Sequence, residues 1–268
     1  MNEQRIAELT PHVLAIARHA GAAILQVYET SVEVVAKADA SPLTIADLRS
    51  HEVIVSGLTS LTPDVPVLSE ESGDLSFDTR KKWPTFWLVD PLDGTKEFIA
   101  RNGQFTVNIA LIHEHEPVFG VVYVPVQDVM YWGGRTSGAH RQQGFAAAER
   151  IRVREQASSP LRVVGSRSHT SDALTQVLPR LGAHDLVQVG SSIKFCLIAA
   201  GEADVYPRFG PTSEWDTAAA QAVVEGAGGC VFASDGMPMR YNLRESLLNP
   251  HFVAFGDRSR DWMKLLFD

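Results

Sequence analysis

Apolar residues recur along this chain with two periods. From Ile6 to Tyr28 they fall at Ile6, Leu9, Val13, Ile16, Ala17, Ala20, Ile24 and Val27, the spacing of one helical face. Val32–Val35 reads as a strand and the polar stretch Lys37–Pro42 as a loop. Thr44-Ile45-Ala46-Asp47 then opens a second amphipathic helix, running to about Leu61. Thr44 as N-cap with Asp47 three positions on is a capping-box arrangement, which alone would explain Asp47. After a Pro63–Pro66 turn, the short strand Val67–Ser69 stops at Glu70-Glu71-Ser72-Gly73-Asp74. Glu71 and Asp74 read as solvated loop acids, and residues 75–84 as a surface loop. Phe86–Val89 is a buried strand. Phe105–Ile112, Val118–Val124 and Val129–Gly133 follow, joined by the polar turns His113–Pro117 and Pro125–Asp128. Such short connections imply an antiparallel sheet. Arg150–Arg154 alternates as an edge strand does.

Beyond residue 157 the pattern changes. Leu161–Val164, Leu186–Val189, Ala203–Tyr206, Cys230–Ala233 and Phe252–Phe255 read as strands. Asp172–Leu181, Ser191–Ala200, Asp216–Ala227 and Arg258–Leu266 read as helices between and after them. Alternating strand and helix indicates an α/β layer. The expected organisation is two halves packed as one unit, 1–157 with an antiparallel sheet and 158–268 of α/β type.

Composition narrows the function. The 268 residues are 45% hydrophobic, enough for one large domain or two sharing a core. A net charge of −8 gives no general attraction for nucleic acid or an anionic membrane. Two cysteines in apolar surroundings, Cys196 and Cys230, read as free buried thiols. No zinc-type spacing, signal-type N-terminus or apolar run of about 18 residues is present, so the expectation is a cytoplasmic protein without a membrane span. His113-Glu114-His115-Glu116 has ligand residues, but on a hairpin turn they read as solvated.

The candidate chemistry begins where Phe86–Val89 ends, in Asp90-Pro91-Leu92-Asp93-Gly94-Thr95. Two carboxylates this close raise each other's pKa unless something neutralises them. Hard oxygens at this spacing suit Mg²⁺, with waters or phosphate oxygens as its other ligands. An open α/β sheet binds ligands at this carboxyl edge of its strands. Gly94 permits close approach of backbone, and a helix from Thr95 would present free N–H groups to an anion. A type I turn accounts for Asp-Pro or Asp-Gly taken singly. Asp216, in Glu214-Trp215-Asp216-Thr217 before a run of alanines closed by Gly226, Gly228 and Gly229, reads either as a helix cap or as a further carboxylate of the same site.

Taken together, Glu70-Glu71-Ser72, Asp90-Pro91-Leu92-Asp93-Gly94-Thr95 and Trp215-Asp216 resemble the inositol monophosphatase superfamily, Mg²⁺-dependent and lithium-sensitive phosphatases. The likeness runs from the first helix to the last strand. Lys37-Ala38-Asp39-Ala40-Ser41-Pro42-Leu43-Thr44-Ile45-Ala46-Asp47, Asp93-Gly94-Thr95-Lys96-Glu97-Phe98, Gly190-Ser191-Ser192-Ile193-Lys194-Phe195-Cys196 and Tyr206-Pro207-Arg208-Phe209-Gly210 are similar to its 3′(2′),5′-bisphosphate nucleotidases, of the bacterial CysQ type.

The resemblance implies a layered αβαβα sandwich, an α/β (α+β) fold. It implies two to three Mg²⁺ ions, with Mn²⁺ as a substitute. Glu70, Asp90 and the Leu92 carbonyl would hold one ion and Asp90, Asp93 and Asp216 a second, with Glu70 beside a third. Thr95, paired with Asp47, would orient and deprotonate the attacking water. Asp93, Gly94, Thr95, Lys96 and Asp216 would surround the scissile phosphate, and Lys194, Arg208, Ser191 and His169 the second phosphate. The activity implied is removal of the 3′-phosphate from 3′-phosphoadenosine 5′-phosphate, and from 3′-phosphoadenylyl sulfate, in sulfur assimilation. The alternative is an inositol or sugar-phosphate phosphatase. Relatives include dimers, so monomer and homodimer both stand. Some of the subgroup associate peripherally with the inner membrane, which the net charge does not favour.

Overall fold

The computed structural model describes residues 2–29, 34–36, 42–73, 75–167 and 172–268. Lys37 to Ser41, Asp74 and His169 lie outside them, as do the first two residues of the expected Val32–Val35 strand.

The first helix, α1 (Glu3–Tyr28), buries the residues its periodicity marks, from Ile6 to Val27, although Ile16 is only half-buried. The pair β1 (Val34–Ala36) and β2 (Pro42–Thr44) leads into α2 (Ile45–Leu61). Thr44 caps α2, and the capping box with Asp47 is complete. A seven-stranded sheet follows, built from β3 (Val67–Ser69), β4 (Thr85–Asp93), β5 (Thr106–His113), β6 (Glu116–Val124), β7 (Val129–Gly134), β8 (Gly138–Gln143) and β9 (Glu149–Ile151) in sequence order. Only β3–β4 is parallel. Besides β2, which falls where a loop and a helix cap were expected, two further elements were not expected. The strand β8 is too polar to carry an apolar alternation, and α3 (Phe77–Arg80) occupies the expected surface loop, with Arg80 only 1% exposed.

The second sheet contains β10 (Leu161–Ser166), β11 (His184–Val189), β12 (Val205–Arg208), β13 (Cys230–Ala233) and β14 (Phe252–Phe255), in the order β11-β10-β12-β14-β13. The first three strands are parallel, as alternating strand and helix requires, while β13 and β14 pair antiparallel. The helices of this half are α5 (Asp172–Val177), α6 (Ile193–Ala199), α7 (Ala218–Gly226) and α8 (Trp262–Phe267). The expected Asp172–Leu181 helix loses its α-helical geometry at Leu178, where Pro179 cannot donate to the ladder.

Side-chain alternation explains the layering. On β4, Trp87 and Val89 face a core shared with α1 and α2. Phe86 and Leu88 face the opposite core, where α6, α7 and the second sheet pack. A third core, with Trp262 and Leu266 of α8 and Leu174 of α5, covers the far side of the second sheet. The order is therefore helix, sheet, helix, sheet, helix, as the αβαβα expectation states. Cys196 and Cys230 are free and buried. Among the described residues no helix is long and apolar enough to cross a membrane.

The middle layer is tight. A Cβ placed on Gly120 of β6 would lie 2.1 Å from the carbonyl oxygen of Ala219 in α7. Backbone cannot yield as a side chain can, so the run Ala218-Ala219-Ala220 and Gly120 allow the helix to lie against the sheet. Gly120→Ala is expected to cost about 1–3 kcal/mol through overpacking. A lower urea midpoint with an unchanged m-value would check this.

Candidate active site

The central strand does not stop at Val89, as the Pro91 and Gly94 punctuation suggests; β4 continues to Asp93. Asp90 pairs with Asn108, yet Asp93 pairs with Thr106, so β4 spends one residue more than β5 across this stretch. That is a β-bulge, and it falls at Pro91, which has no N–H to give to the ladder. Its effect is on side-chain direction. Residues three apart on a regular strand point to opposite faces. The extra residue returns Asp93 to the side of Asp90. The Ser50 hydroxyl donates to the Pro91 carbonyl at 2.7 Å and holds the bulge.

Asp216 joins them from the segment ahead of α7. Carboxylate oxygens of Asp90, Asp93 and Asp216 lie within 4.8 Å of one another. Asp216 does not cap α7; Thr217 is the N-cap, and Asp216 Oδ2 instead accepts from the Ser213 amide at 2.8 Å. Of the two readings of Asp216, the structure thus supports a third carboxylate of the cluster. Burial, reinforced by Glu70, Asp93 and Asp216, drives the Asp90 pKa well above its usual value. Burial, then the charges of Asp93 and Glu70, pushes Asp216 up to about 8.

Asp93 is secured differently. Its Oδ2 accepts from the Ser192 amide at 2.7 Å and from the Ser191 and Ser192 hydroxyls at 2.8 Å each. Asn108 Nδ2 at 3.3 Å and Thr106 Oγ1 at 3.4 Å also point to this oxygen. With Oδ2 claimed by protein donors, Oδ1 is the oxygen left for a ligand. The Ser192 hydroxyl also lies 2.7 Å from the Asp216 carbonyl, tying the two acidic segments together. Ser191 holds φ at +55°, a left-handed conformation uncommon outside glycine.

One cleft of about 250 Å³ gathers most of the candidates: Glu70, Asp90, Leu92, Asp93, Gly94, Thr95, Lys96, Ser191, Lys194, Arg208 and Asp216. The cleft lies at the carboxyl ends of β4, β10, β11 and β12. Asp47 stands behind it, 2% exposed. Thr44 gives Asp47 Oδ2 two bonds, at 2.8 Å from its amide and 2.6 Å from its hydroxyl. The Thr95 hydroxyl donates to Asp47 Oδ1 at 3.3 Å. Asp47 is therefore both a capping residue and the partner of Thr95. Gly94 has φ of +93° and precedes α4 (Thr95–Ile99), so the helix opens at Thr95 as expected.

A cationic pair shares the cleft with the acids. Lys194 is 6% exposed, and its Nζ donates to the Ser191 carbonyl at 2.5 Å. Burial lowers its pKa to about 8; Asp93 opposes this shift and the charge of Arg208 adds to it. Arg208 is fixed by Thr212 Oγ1, 2.7 Å from Nε, and the Pro211 carbonyl, 2.9 Å from Nη2.

Sequence reasoning did not select Thr106, Asn108 or Ser192. Asn108 carried a signal, being a buried amide inside the apolar Phe105–Ile112 strand, and Ser192 stood in the Gly190–Cys196 segment without a role. At the His113–Glu116 hairpin, His115 Nδ1 pairs with the Tyr241 carbonyl and Glu116 with Arg240 and Arg135. The only acidic cluster able to hold a metal among the described residues is Asp90, Asp93 and Asp216. Its hard oxygens and mutual repulsion suit a divalent cation such as Mg²⁺.

Residues 5–260 match the inositol monophosphatase family. The chain is 52% identical over 242 residues to the 3′(2′),5′-bisphosphate nucleotidase CysQ of Escherichia coli (strain K12), covering 90% of this chain and 96% of that protein. Its identity to the CysQ of Haemophilus influenzae is 39%, over 96% of each. Among solved structures, CysQ from Bacteroides thetaiotaomicron aligns with a TM-score of 0.80 at 42% identity, covering 92% of this chain and 96% of that one. SuhB from Bartonella henselae shares the fold, with a TM-score of 0.79 at 24% identity over 97% and 98%.

The cluster's charge gives a stability test. The folded pKa of Asp216 lies above its unfolded value of about 3.9. The metal-free folded state thus binds the extra proton, and stability falls as pH rises from about 4 through about 8. Asp216→Asn is expected to flatten that decline, raise the metal-free Tm at pH 8, and abolish the Tm rise on adding Mg²⁺. Thermal melts across pH, with chelator or Mg²⁺, provide the check.

Proposed function

The chain belongs to the inositol monophosphatase family, and on that footing we propose that it is a metal-dependent 3′(2′),5′-bisphosphate nucleotidase. Its substrate is 3′-phosphoadenosine 5′-phosphate, released as AMP and phosphate, and it also accepts 3′-phosphoadenylyl sulfate. One observation carries this reading: the acidic cluster and the Lys194–Arg208 pair share one cleft. A substrate with two phosphates can use both, one at the metal-holding acids and one at the cations. An inositol monophosphate would leave the cations without a partner. High identity to nucleotidases over nearly the whole chain supports the same choice.

In this reading Glu70, Asp90, Asp93, Asp216 and the Leu92 carbonyl hold two to three Mg²⁺ ions, with Mn²⁺ as a substitute. Bound there, Mg²⁺ stabilises charge on the phosphoryl oxygens and lowers the pKa of water. The rest is the work of this chain's residues. Thr95 Oγ1 orients the attacking water and accepts its proton as it passes its own to Asp47 Oδ1, along the 3.3 Å contact. The two bonds from Thr44 keep Asp47 Oδ2 occupied, so Oδ1 is the oxygen that receives it. The water oxygen bonds to phosphorus as the bond to the ribose 3′ oxygen breaks, and that oxygen takes a proton from solvent water to leave as the 3′-hydroxyl of AMP. Lys96 and Gly94 line the scissile phosphate's end of the cleft. The attack is direct, by water, without a phosphoenzyme. Removing this by-product places the protein in sulfur assimilation, in the cytoplasm.

Phosphate release from 3′-phosphoadenosine 5′-phosphate, inositol 1-phosphate and 5′-AMP, with Mg²⁺, tests the assignment. The bisphosphate should be strongly preferred. Asp93→Ala should lower the rate about a thousandfold, since a metal contributes several kcal/mol to the barrier. Equal turnover of inositol 1-phosphate would overturn the nucleotidase reading.

Lys194 generates a separate expectation. Replacing it with Met should raise KM for the bisphosphate about 10- to 100-fold, the value of a charged hydrogen bond, with less effect on kcat. In the wild type the cation is present below its pKa of about 8 and lost above it, so KM should climb as pH passes 8. KM and kcat measured from pH 6.5 to 9.5, on wild type and Lys194→Met, decide it.

A further inference from the structure

Two of the acidic segments meet around a gap. Glu70, Arg80 and Trp215 line a second cavity of about 300 Å³, separate from the catalytic cleft except at Glu70. Leu68, Trp215 and Leu247 of its lining belong to one apolar cluster. Beside them a chain of buried polar contacts runs from α3 to the Glu214–Asp216 turn.

Arg80 ends α3, ten residues after Glu70, and Asn242 lies beyond β13; each is 1% exposed. Arg80 Nη1 donates to Asn242 Oδ1 at 2.6 Å, and Asn242 Nδ2 donates back to the Arg80 carbonyl at 2.7 Å. Arg80 Nη2 donates to the Glu245 carbonyl, and its guanidinium lies over the Phe77 ring at 4.9 Å. The Asn242 amide in turn donates to Glu214 Oε2 at 2.8 Å. Glu214 is also 1% exposed, and its main chain forms the turn that holds Asp216. The Glu214 amide donates to Leu247, and its carbonyl accepts from Thr217 and Ala218. Arg80 and Glu214 each feel the other's charge. Asn242 adopts φ of +59°, a conformation that needs a compensating reason in a residue other than glycine. The paired exchange with Arg80 supplies one.

We propose that Arg80 and Asn242 are positioning residues, a strut from α3 to Glu214 that holds the turn carrying Asp216 and so sets the affinity of the site for divalent cations. Neither residue touches substrate. The proposal rests on the metal-dependent reading above, and concerns residues behind the ligands. Residues that hold a metal's ligands in place commonly govern its affinity.

Asn242→Gly is the cleanest variant, because glycine keeps the left-handed backbone while deleting the side chain. Arg80→Lys keeps the charge but loses the fork. Ser158→Ala, which cuts a bond to Asp204 in another part of the fold, controls for general destabilisation. Calorimetric titration with Mn²⁺, after circular dichroism has verified folding, gives the readout. Both strut variants should bind Mn²⁺ about 10- to 100-fold more weakly. The double variant should be no worse than the worse single one, since the residues act as one unit. At saturating Mn²⁺ their kcat should recover, and Ser158→Ala should bind Mn²⁺ as the wild type does. Wild-type Mn²⁺ affinity in Asn242→Gly or Arg80→Lys, with only a lower Tm, would overturn the proposal and leave a structural role. Failure of the wild type to bind Mn²⁺, or unchanged binding in Asp93→Asn, would instead overturn the metal reading on which it stands.

Discussion

Three carboxylates gathered within 4.8 Å, with one of them almost wholly buried, are the costliest arrangement in this molecule. Ions removed from water lose several kcal/mol each even after relaxation, and like charges add to that cost. Left alone, the chain would separate them or protonate them. Burial and mutual repulsion raise the pKa of Asp90 and Asp216, which is the direction of the second response. The rest of the fold answers this repulsion. Phe86, Trp87, Leu88 and Val89 sit between two cores, and burying four such side chains contributes about 6–12 kcal/mol. That is enough to carry a buried acid at the end of the same strand.

Position, however, does not follow from burial. The bulge at Pro91 turns Asp93 to the side of Asp90, and the Ser191-Ser192 turn after β11 grips one oxygen of Asp93. Asp216 arrives from a third segment, held against the first sheet by the close approach of α7 to Gly120. The two sheets thus contribute separate parts of one site, and packing between them is a catalytic matter. A shift of α7 by a fraction of an ångström would move Asp216 away from the acids on β4.

Most elements were legible because apolar runs on the strands and the three-to-four spacing on α1 and α2 are strong signals, whereas their stacking into layers was read from the resemblance to a family. Cys230–Ala233 and Phe252–Phe255 were legible to the residue, since apolar runs bounded by glycine or polar turns leave little choice. The polar strand β8 and the short helix α3 were not. Their residues look solvated, and Arg80 is buried only because Asn242, Glu245 and Phe77 surround it, contacts made over about 160 residues in two of the three cases. The acids of the site were legible as a set through their resemblance to a family. Their support was not, because Thr106, Asn108 and Ser192 acquire a role only once a bulge and a left-handed serine bring them to Asp93. A proline and an Asp-Gly pair signal a turn locally, and the tertiary pairing with β5 overrides it.

The cations complete the argument from charge. A chain of net −8 gives a phosphorylated nucleotide no long-range attraction, and beyond a Debye length of about 8–10 Å its charge is largely screened in any case. Attraction must therefore be local and arise late in the encounter. Lys194 is suited to meeting an anion because burial has weakened its hydration, its ammonium group being held by the Ser191 carbonyl. Burial also brings the lysine close to deprotonation, and the nearby Asp93 carboxylate acts against that. An acid that would itself repel a phosphate thus helps to keep its neighbouring lysine charged. In this cleft, opposite charges are arranged so that each keeps the other in its working state.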